Sequence, residues 1–556
     1  MVKNPFDPFG IGEASFEFWR AMMTAPAGPM RAQLELTREL ADVALRAIGP
    51  HDGGGAPAVI EPAPGDKRFT DSIWTTNPYF AALKQGYLLA TKTLVDTIDA
   101  TPGLDEADRR RIRFFAKQFC DAMSPTNFPL LNPQVLAEAL RTGGENFRRG
   151  AENAARDLRE NEGRVSLVDA SGFSVGTNIA TTPGKVVYRN ELIELIQYAP
   201  TTPEVFARPL VIVPPWINKY YVLDLQPSNS FIKYAVDAGR TTFCISWRNP
   251  GAELRDRGIS EYLREGPLTA FRVATEIAGT DDVDAVGYCI GGTILGIALA
   301  YLAQRNGSPI RTATFFATLL DFSDPGEIVA FLGDRGLATI DAKMAEQGYL
   351  SGREMADTFQ MLRANDLIWS PAVNRYLLGK DAPAFDLLVW NSDVTRVPEA
   401  LHRWTLHELY TANRLTQPGA LSIDGVPLDL GRVQIDCYSV ATLEDHIAPW
   451  RSVYAMTRLF SGETTFRLGV SGHIAGIINP PGKRNAAWRG APAGSQPSRN
   501  PEEWLASADQ HEDSWWPDWG RWLAERSPAK VPAREALGSP AYPPLCEAPG
   551  TYVLER

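Results

Sequence analysis

Residues 283–303 read VDAVGYCIGGTILGIALAYLA, and this stretch decides the fold. The apolar run that ends at Tyr288 predicts a buried strand, and the uncharged residues after Gly292 predict a buried helix. Gly287 and Gly291 stand two positions on either side of Cys289. A tight turn from a strand into a helix needs small residues at those two positions. The stretch therefore predicts a strand, a sharp turn and a helix that present the Cys289 thiol above the end of the strand.

The same region also raises the question of a membrane span. Residues 285–304 carry no charge, and 20 residues are about the length that crosses a bilayer. The glycines in this run and its strand-like start favour the buried strand, turn and helix over a membrane span.

The remainder of the chain from about residue 175 predicts a mostly parallel sheet. Short β-branched runs alternate there with helical stretches, which is the pattern of βαβ units. The predicted strands are 186–189, 192–198, 209–213, 241–247, 283–288, 311–318, 433–438 and 464–469. Together with a nucleophile turn that carries Cys in place of Ser, they predict an α/β-hydrolase fold. We expect the long stretch 319–432 to be an inserted cap over an active site, because an insertion of that size is rarely a simple loop.

The first 175 residues predict a mainly α-helical N-terminal region ahead of a catalytic domain at 176–556. Within it, 31–48 has the period of an amphipathic helix, either packed on its own protein or, less favoured, bound to a partner or an interface. Residues 51–66 are dense in Gly and Pro and predict a linker.

Composition excludes several classes of protein. The chain has 556 residues and a net charge of −11, so it has no general attraction to nucleic acid. Its five cysteines are odd in number and include no C-x-x-C pair, which indicates reduced thiols. The first residues lack the basic start and apolar run of a secretory signal, so a cytoplasmic location is expected.

A thiol nucleophile needs a base and a group that orients the base. In this fold these residues follow later strands, first the acid and then the histidine. Asp445 follows the strand predicted at 433–438, and His473 follows the strand predicted at 464–469. We predict Cys289 as nucleophile, His473 as base and Asp445 as orienter, although Asp445 could instead act on a second substrate, and Glu444 and His446 stand beside it.

Two backbone amides are candidates for an oxyanion hole. The Ile290 amide lies at the start of the predicted helix, and the loop after the strand 209–213 supplies the second donor in this fold. Pro215 has no N–H, so Trp216 is the first candidate. Arg248 and Asn249 in the next strand-end loop fit a structural turn at least as well as a substrate contact.

No metal or cofactor is expected. His402 and His407 are five residues apart and the H-E-x-x-H pattern is not completed, so a zinc site is not predicted. His446 is interpreted as structural, and Cys244 and Cys437 as core residues within strands.

Motifs along most of the chain resemble those of the polyhydroxyalkanoate synthases. They are FTDSIWTTNPYFAALKQGYLL (69–89), the NPxxLxxALxTGGEN pattern (132–146), PPWINKYYVLDLQPSNSF (214–231), FCISWRNP (243–250), GYCIGG (287–292), FDLLVWNSD (385–393), DHIAPW (445–450), SGHIAGIINPP (471–481) and SWWPDWGRWL (514–523). The N-terminal region and the ending YPPLCEAPGTYVLER resemble the class I, homo-oligomeric synthases. Trp216 departs from the pattern, since a smaller residue such as Cys is expected there.

The resemblance implies polymerisation of (R)-3-hydroxyacyl-CoA, typically 3-hydroxybutyryl-CoA, into a polyester with release of CoA through a thioester on Cys289. It also implies a homodimer in the cytoplasm at polymer granules, with granule-coating proteins as partners and the 31–48 helix as one contact. Two alternatives stay open. One is a thioesterase or polyester hydrolase with the same triad, and the other is a non-catalytic granule-binding or scaffold protein.

Overall fold

The computed structural model describes residues 11–25, 27–48, 58–305, 307–484, 486–491 and 498–556. Residues 51–57 of the predicted linker lie outside this part of the chain. The chain divides into two compact units. The helical unit comprises Met1–Asp169, Val329–Thr339 and Asp357–Ala384, and the sheet unit comprises Ala170–Ile328, Ile340–Ala356 and Phe385–Arg556. The stretch predicted as one cap, 319–432, is therefore shared between the two units.

Among the described residues, seven α-helices precede the sheet. Their bounds are α1 Ile11–Thr24, α2 Ala27–Ile48, α3 Ile73–Thr76, α4 Pro78–Ala100, α5 Glu106–Ala122, α6 Pro133–Thr142 and α7 Glu145–Glu160. Asn77 and Asn132 each stand before a proline, and each accepts a backbone N–H at the start of its helix, at 3.0 Å from Tyr79 and 3.0 Å from Gln134. These Asn-Pro pairs begin helices because an Asn side chain caps the free amides and Pro fits the first helical position.

Parts of the predicted cap complete the core of the helical unit. Phe114 of α5 is buried in a cluster with Phe331 and Leu362. Asp157 of α7 pairs with Arg375 at 2.8 Å, and both side chains are buried. Residues 329–339 and 357–384 belong to this unit because their apolar side chains pack there and the Arg375 guanidinium finds its carboxylate partner there.

The sheet unit is built on one mixed sheet of twelve strands. Their bounds are β1 Gly184–Arg189, β2 Ile193–Tyr198, β3 Glu204–Val213, β4 Arg240–Trp247, β5 Val283–Tyr288, β6 Ile310–Phe316, β7 Asp436–Thr442, β8 Thr464–Gly469, β9 Ala487–Gly490, β10 Asp509–Glu512, β11 Lys530–Pro532 and β12 Cys546–Glu547. The order is β10-β9-β8-β7-β6-β5-β3-β4-β2-β1-β12, and β11 also pairs with β3. The run from β4 through β3, β5, β6 and β7 to β8 is parallel. The carboxyl ends of these six strands therefore meet at one edge of the sheet.

The eight predicted strands correspond to β1–β8, with one shift. The seventh was expected at 433–438 and is Asp436–Thr442. Residue 433 does not join the ladder, since its carbonyl accepts the amides of Ser461 and Gly462 at 2.9 and 3.1 Å. The strand thus runs four residues further, and its end lies closer to Asp445.

The remaining helices follow the strands. They are α8 Phe231–Asp237, α9 Ile259–Leu263, α10 Thr269–Ala278, α11 Ile290–Gln304, α12 Asp334–Gln347, α13 Gly352–Leu362, α14 Ser370–Ala372, α15 Asp386–Ser392, α16 Glu399–Trp404, α17 Trp450–Tyr454, α18 Ala475–Ile478, α19 Pro501–Ser507 and α20 Trp516–Glu525. α11 is buried along its first twelve residues and packs against β5. The uncharged stretch is thus a strand and a core helix, and within the described residues no helix has the length and apolar character to cross a bilayer.

Candidate active site

Cys289 lies at the turn between β5 and α11. Its backbone has φ 53° and ψ −127°, a conformation that residues other than glycine rarely adopt. The Cys289 N–H donates to the carbonyl of Phe316 at the end of β6 (2.8 Å), and the Cys289 carbonyl accepts from Gly292 (2.9 Å). These bonds hold the strained turn, and strain of this kind is typical of functional positions.

Two glycines make the turn sterically allowed. A Cβ atom at Gly287 would clash with Gly292, with its backbone nitrogen only 2.9 Å away, and one at Gly291 would lie 2.5 Å from the carbonyl carbon of Pro214. The elbow therefore touches the loop after β3 with backbone alone. The sequence predicts a tight turn here from the same two glycines.

Asp445 lies three residues after the end of β7. Its Oδ1 atom accepts the backbone amides of Ile447 and Ala448, each at 2.8 Å. Its side chain has no exposed surface. The carboxylate is thus fixed in position and cannot reach solvent.

His473 lies in the loop after β8. Its Nδ1 atom is 2.7 Å from Oδ2 of Asp445. The ring stacks on Tyr288 with 5.6 Å between centroids, and the Tyr288 hydroxyl donates to the His473 carbonyl at 3.2 Å. Ser471, two residues earlier, has φ 76° and accepts the Glu444 amide through its carbonyl, so the loop is tied to the one that carries Asp445.

The third member of the constellation, Cys289, lies close enough to His473 to affect the pKa of its imidazole ring. Burial alone would lower the pKa of His473, but the charge and hydrogen bond of Asp445, together with the nearby Cys289, outweigh it and raise the pKa well above 6.5. The imidazolium form is thereby favoured. Because Nδ1 is engaged by Asp445, Nε2 is the ring nitrogen left to exchange a proton with the thiol.

The other cysteines have different environments. Cys120, Cys244 and Cys437 are buried, and burial raises the pKa of each of these thiols. Cys289 and Cys546 are partly exposed. Of these two, Cys289 alone is joined to a histidine–carboxylate pair, as a reactive thiol requires.

Of the two candidate oxyanion donors, Ile290 directly follows Cys289, and Trp216 lies two residues after Pro214, whose backbone contacts the elbow. Ile290 is the first residue of α11, where amides have no partner within the helix and lie at its positive end. Trp216 follows the Pro214 backbone that contacts Gly291. Its indole is buried, and its ring lies 6.0 Å from that of Tyr262. The large side chain that departs from the expected pattern is thus accommodated in the core.

Sequence reasoning missed Tyr410. It lies in the helical turn Thr405–Thr411 and packs edge-on against Phe322 at 4.8 Å. Burial raises the pKa of Tyr410, and the nearby charge of Cys289 raises it further. No motif marks this tyrosine in the sequence, because only tertiary packing brings it to Cys289.

The other singled-out residues have structural partners. His402 is buried and neutral, since burial lowers its pKa to about 4. His407 lies 3.0 Å from Asp341. Arg248 pairs with Glu253 and Glu555, and the Asn249 side chain accepts the Arg396 amide at 2.9 Å, which favours the structural-turn interpretation. Within the part of the chain that the structure describes, no group of His, Cys, Asp and Glu could hold a metal.

A strand order of β1-β2-β4-β3-β5-β6-β7-β8, with Cys289 at the elbow after β5 and an aspartate and a histidine after β7 and β8, defines an α/β-hydrolase fold with cysteine at the nucleophile position. The fold expected from the sequence, with its helical N-terminal region, is confirmed. A family model described as "alpha/beta hydrolase fold" matches residues 208–480, and one described as "Poly-beta-hydroxybutyrate polymerase (PhaC) N-terminus" matches residues 65–235.

Relatives narrow the class to one family. The poly(3-hydroxyalkanoate) polymerase of Methylorubrum extorquens is 43% identical over 95% of this chain and 87% of its own length. The PhaC subunit of the Rhizobium etli poly(3-hydroxyalkanoate) polymerase is 40% identical over 97% of this chain and 85% of its own. The chain belongs to the poly(3-hydroxyalkanoate) polymerase family. Among solved structures, a monoacylglycerol lipase from Paleococcus ferrophilus aligns with 60% of this chain and 99% of its own at 12% identity and a TM-score of 0.35.

Proposed function

We propose that this protein is a class I polyhydroxyalkanoate synthase that polymerises (R)-3-hydroxyacyl-CoA, with 3-hydroxybutyryl-CoA as its substrate, and releases CoA. The observation that carries the proposal is the Cys289–His473–Asp445 constellation at the elbow of a chain in the polymerase family. A thiol nucleophile suits this chemistry, because transfer from CoA to Cys289 replaces one thioester with another and keeps the acyl group activated.

In the proposed acylation, His473, whose pKa is raised by Asp445, takes the proton of the Cys289 thiol. The Cys289 sulfur attacks the thioester carbonyl, and the developing oxyanion accepts hydrogen bonds from the Ile290 and Trp216 amides. The bond to the CoA sulfur then breaks, and the CoA thiolate takes the proton from His473. Atoms and charge balance, and His473 is left neutral.

Elongation uses the same histidine in the opposite direction. Neutral His473 takes the proton from a 3-hydroxyl group while that oxygen attacks the acyl carbon, an ester bond forms, and the Cys289 thiolate leaves. Asp445 stabilises the imidazolium and fixes its orientation. It does not touch the incoming hydroxyl in this scheme, since its side chain is enclosed and both of its oxygens are engaged.

The deciding experiment separates polymerisation from hydrolysis. The purified protein is incubated with 3-hydroxybutyryl-CoA, and both CoA release and the acyl product are measured. Polyester as the main product supports the proposal, whereas free 3-hydroxybutyrate alone shows a thioesterase. Cys289→Ala should abolish CoA release and Cys546→Ala, the other partly exposed thiol, should not. CoA release by Cys289→Ala contradicts the nucleophile assignment, and its absence in every form, wild type included, favours a non-catalytic scaffold.

We also propose that the first two helices bind the granule surface in the cytoplasm, alone or with granule-coating proteins, and support a homodimer. On α1, Ala14 and Phe18 are buried, while Phe16, Trp19 and Met23 are 65%, 60% and 78% exposed. Val43 of α2 is buried, so that helix packs partly on its own unit. Deletion of residues 1–50 should impair granule localisation more than CoA release, and an equal loss of both contradicts this division of roles.

A further inference from the structure

Lys219 lies in the loop after β3 and is buried, with 4% of its side chain exposed. Its ammonium group donates to the carbonyls of Val553 (2.7 Å) and Glu555 (2.9 Å) and pairs with Asp393 at 2.8 Å. An ammonium has three N–H donors, and all three have a partner here. A buried lysine with a full set of partners fixes the backbone that carries it.

The segment 390–394 holds the same loop from a second side. The Trp390 indole donates to the Lys219 carbonyl at 2.7 Å. The hydroxyl of Tyr221 donates to the second oxygen of Asp393 at 2.8 Å. Asn218 pairs with Val394 in an antiparallel bridge. Three successive parts of the loop are thus tied to one short segment.

The carbonyls that Lys219 binds are themselves fixed. Buried Glu194 of β2 accepts the amides of Thr551 (2.9 Å) and Tyr552 (3.0 Å). The Glu555 carboxylate accepts the Asn249 amide at 3.2 Å. Residues 551–555 are therefore a rigid anchor for the Lys219 ammonium.

We propose that Lys219 is a positioning residue that clamps the loop 214–221 between the 390–394 segment and residues 551–555, and so holds the Trp216 amide for the oxyanion. The inference rests on the proposed role of that amide. Trp216 stands between two fixed points. Pro214 contacts the elbow at Gly291, and the carbonyl of Lys219, three residues after Trp216, is bound by the Trp390 indole. Loss of the clamp should leave Cys289 in place but allow the Trp216 amide to move away from the oxyanion.

The test compares Lys219→Met with a matched control. Met keeps the length of the side chain and removes its three bonds. Arg208→Met removes another largely buried cation, with 13% of its side chain exposed, from β3, where Arg208 pairs with Asp282 and Asp284 near the opposite ends of the strands. Both variants should lose stability, but only Lys219→Met loosens the loop. Trp390→Phe, which removes the bond to the Lys219 carbonyl together with part of a buried ring, serves if Lys219→Met does not fold.

Two reagents separate the oxyanion from the thiolate. S-phenyl thioacetate transfers its acetyl group to Cys289 with release of thiophenol and builds an oxyanion. Iodoacetamide reacts at a saturated carbon and builds none. Peptide mass spectrometry follows both adducts at Cys289, and hydrogen exchange follows the amides of 216–224. None of these readouts depends on the natural substrate.

We expect acetylation of Lys219→Met at saturating reagent to be about tenfold slower, with half-saturation within about threefold of wild type. Alkylation should keep its wild-type rate, and the loop amides should exchange faster than in Arg208→Met. Acetylation at the wild-type rate, or a parallel fall in acetylation and alkylation, overturns the inference. If the wild type is acetylated at Cys289 but does not polymerise 3-hydroxybutyryl-CoA, only the proposed function fails, whereas no acetylation at Cys289 overturns both.

Discussion

The imidazole Nδ1 atom of His473 lies 2.7 Å from Oδ2 of Asp445, although the two residues follow different strands. The other carboxylate oxygen is occupied by two backbone amides, so the pair has a single arrangement. Among the groups that raise the pKa of the histidine against the effect of burial, Asp445 has the largest effect.

Asp445→Asn should keep the bonds to the Ile447 and Ala448 amides and remove the charge. The pKa of His473 should then fall, because burial lowers it and Asp445 no longer raises it. We expect CoA release to fall about a hundredfold and alkylation of Cys289 at pH 6 to slow. Asp341→Asn is the matched control, since Asp341 also faces a histidine, His407, at 3.0 Å. Equal effects of the two changes contradict the assignment.

Gly291→Ala should destabilise the elbow. Its Cβ would lie 2.5 Å from the carbonyl carbon of Pro214, and backbone atoms cannot turn aside as a flexible side chain can. The free energy of unfolding should fall by about 1–3 kcal/mol, as measured by urea denaturation. Gly172→Ala is the control, because nothing lies within 4 Å of a Cβ at that position. A Gly291→Ala protein as stable as the control is the result that rejects this account.

Arg375→Met should destabilise the helical unit strongly. Arg375 and Asp157 are 6% and 2% exposed, and Asp157 also accepts from Tyr376 at 2.8 Å. Removal of the guanidinium leaves a buried carboxylate unpaired, which costs about 3–5 kcal/mol. Hydrogen exchange of the α7 amides measures the loss. Arg148→Met removes an exposed cation from α7 and should leave the stability almost unchanged, so similar losses in the two variants contradict the prediction.

His402→Leu should reduce the sensitivity of the fold to acid. Burial lowers the pKa of His402 from 6.5 to about 4. Below pH 6.5, His402 therefore binds a proton in the unfolded chain but not in the folded protein. The free energy of unfolding falls as the pH is lowered through this range. Between pH 7 and pH 5 the wild type should lose about 2 kcal/mol more than His402→Leu, as measured by denaturation at each pH. His407→Leu, at a partly exposed histidine, is the control, and identical pH profiles for wild type and His402→Leu contradict the prediction.

Strong local patterns made much of this fold predictable. The eight strands β1–β8 are largely apolar runs of six to ten residues, and the spacing of the glycines predicts the elbow. Asp445 and His473 could be placed because they follow such strands in a fixed order. Local sequence says little about β9–β12, because these strands have only two to four residues and because β10 and β11 are exposed.

Long-range packing accounts for what was missed. Tyr410 approaches Cys289, and Lys219 reaches Val553, across separations that no periodicity encodes. The division of 319–432 between two units has the same origin. Phe331 and Leu362 resemble any apolar residues of a helix until their partner Phe114 is known.

The backbone of Cys289, with φ 53° and ψ −127°, sets activity against stability at one position. Glycine adopts this conformation without strain, so Cys289→Gly should raise the melting temperature while removing the proposed nucleophile. Selection for thermal stability alone would therefore favour glycine at position 289. Directed evolution for higher stability therefore has to screen for turnover at every round, because Cys289→Gly would raise stability and abolish the expected activity.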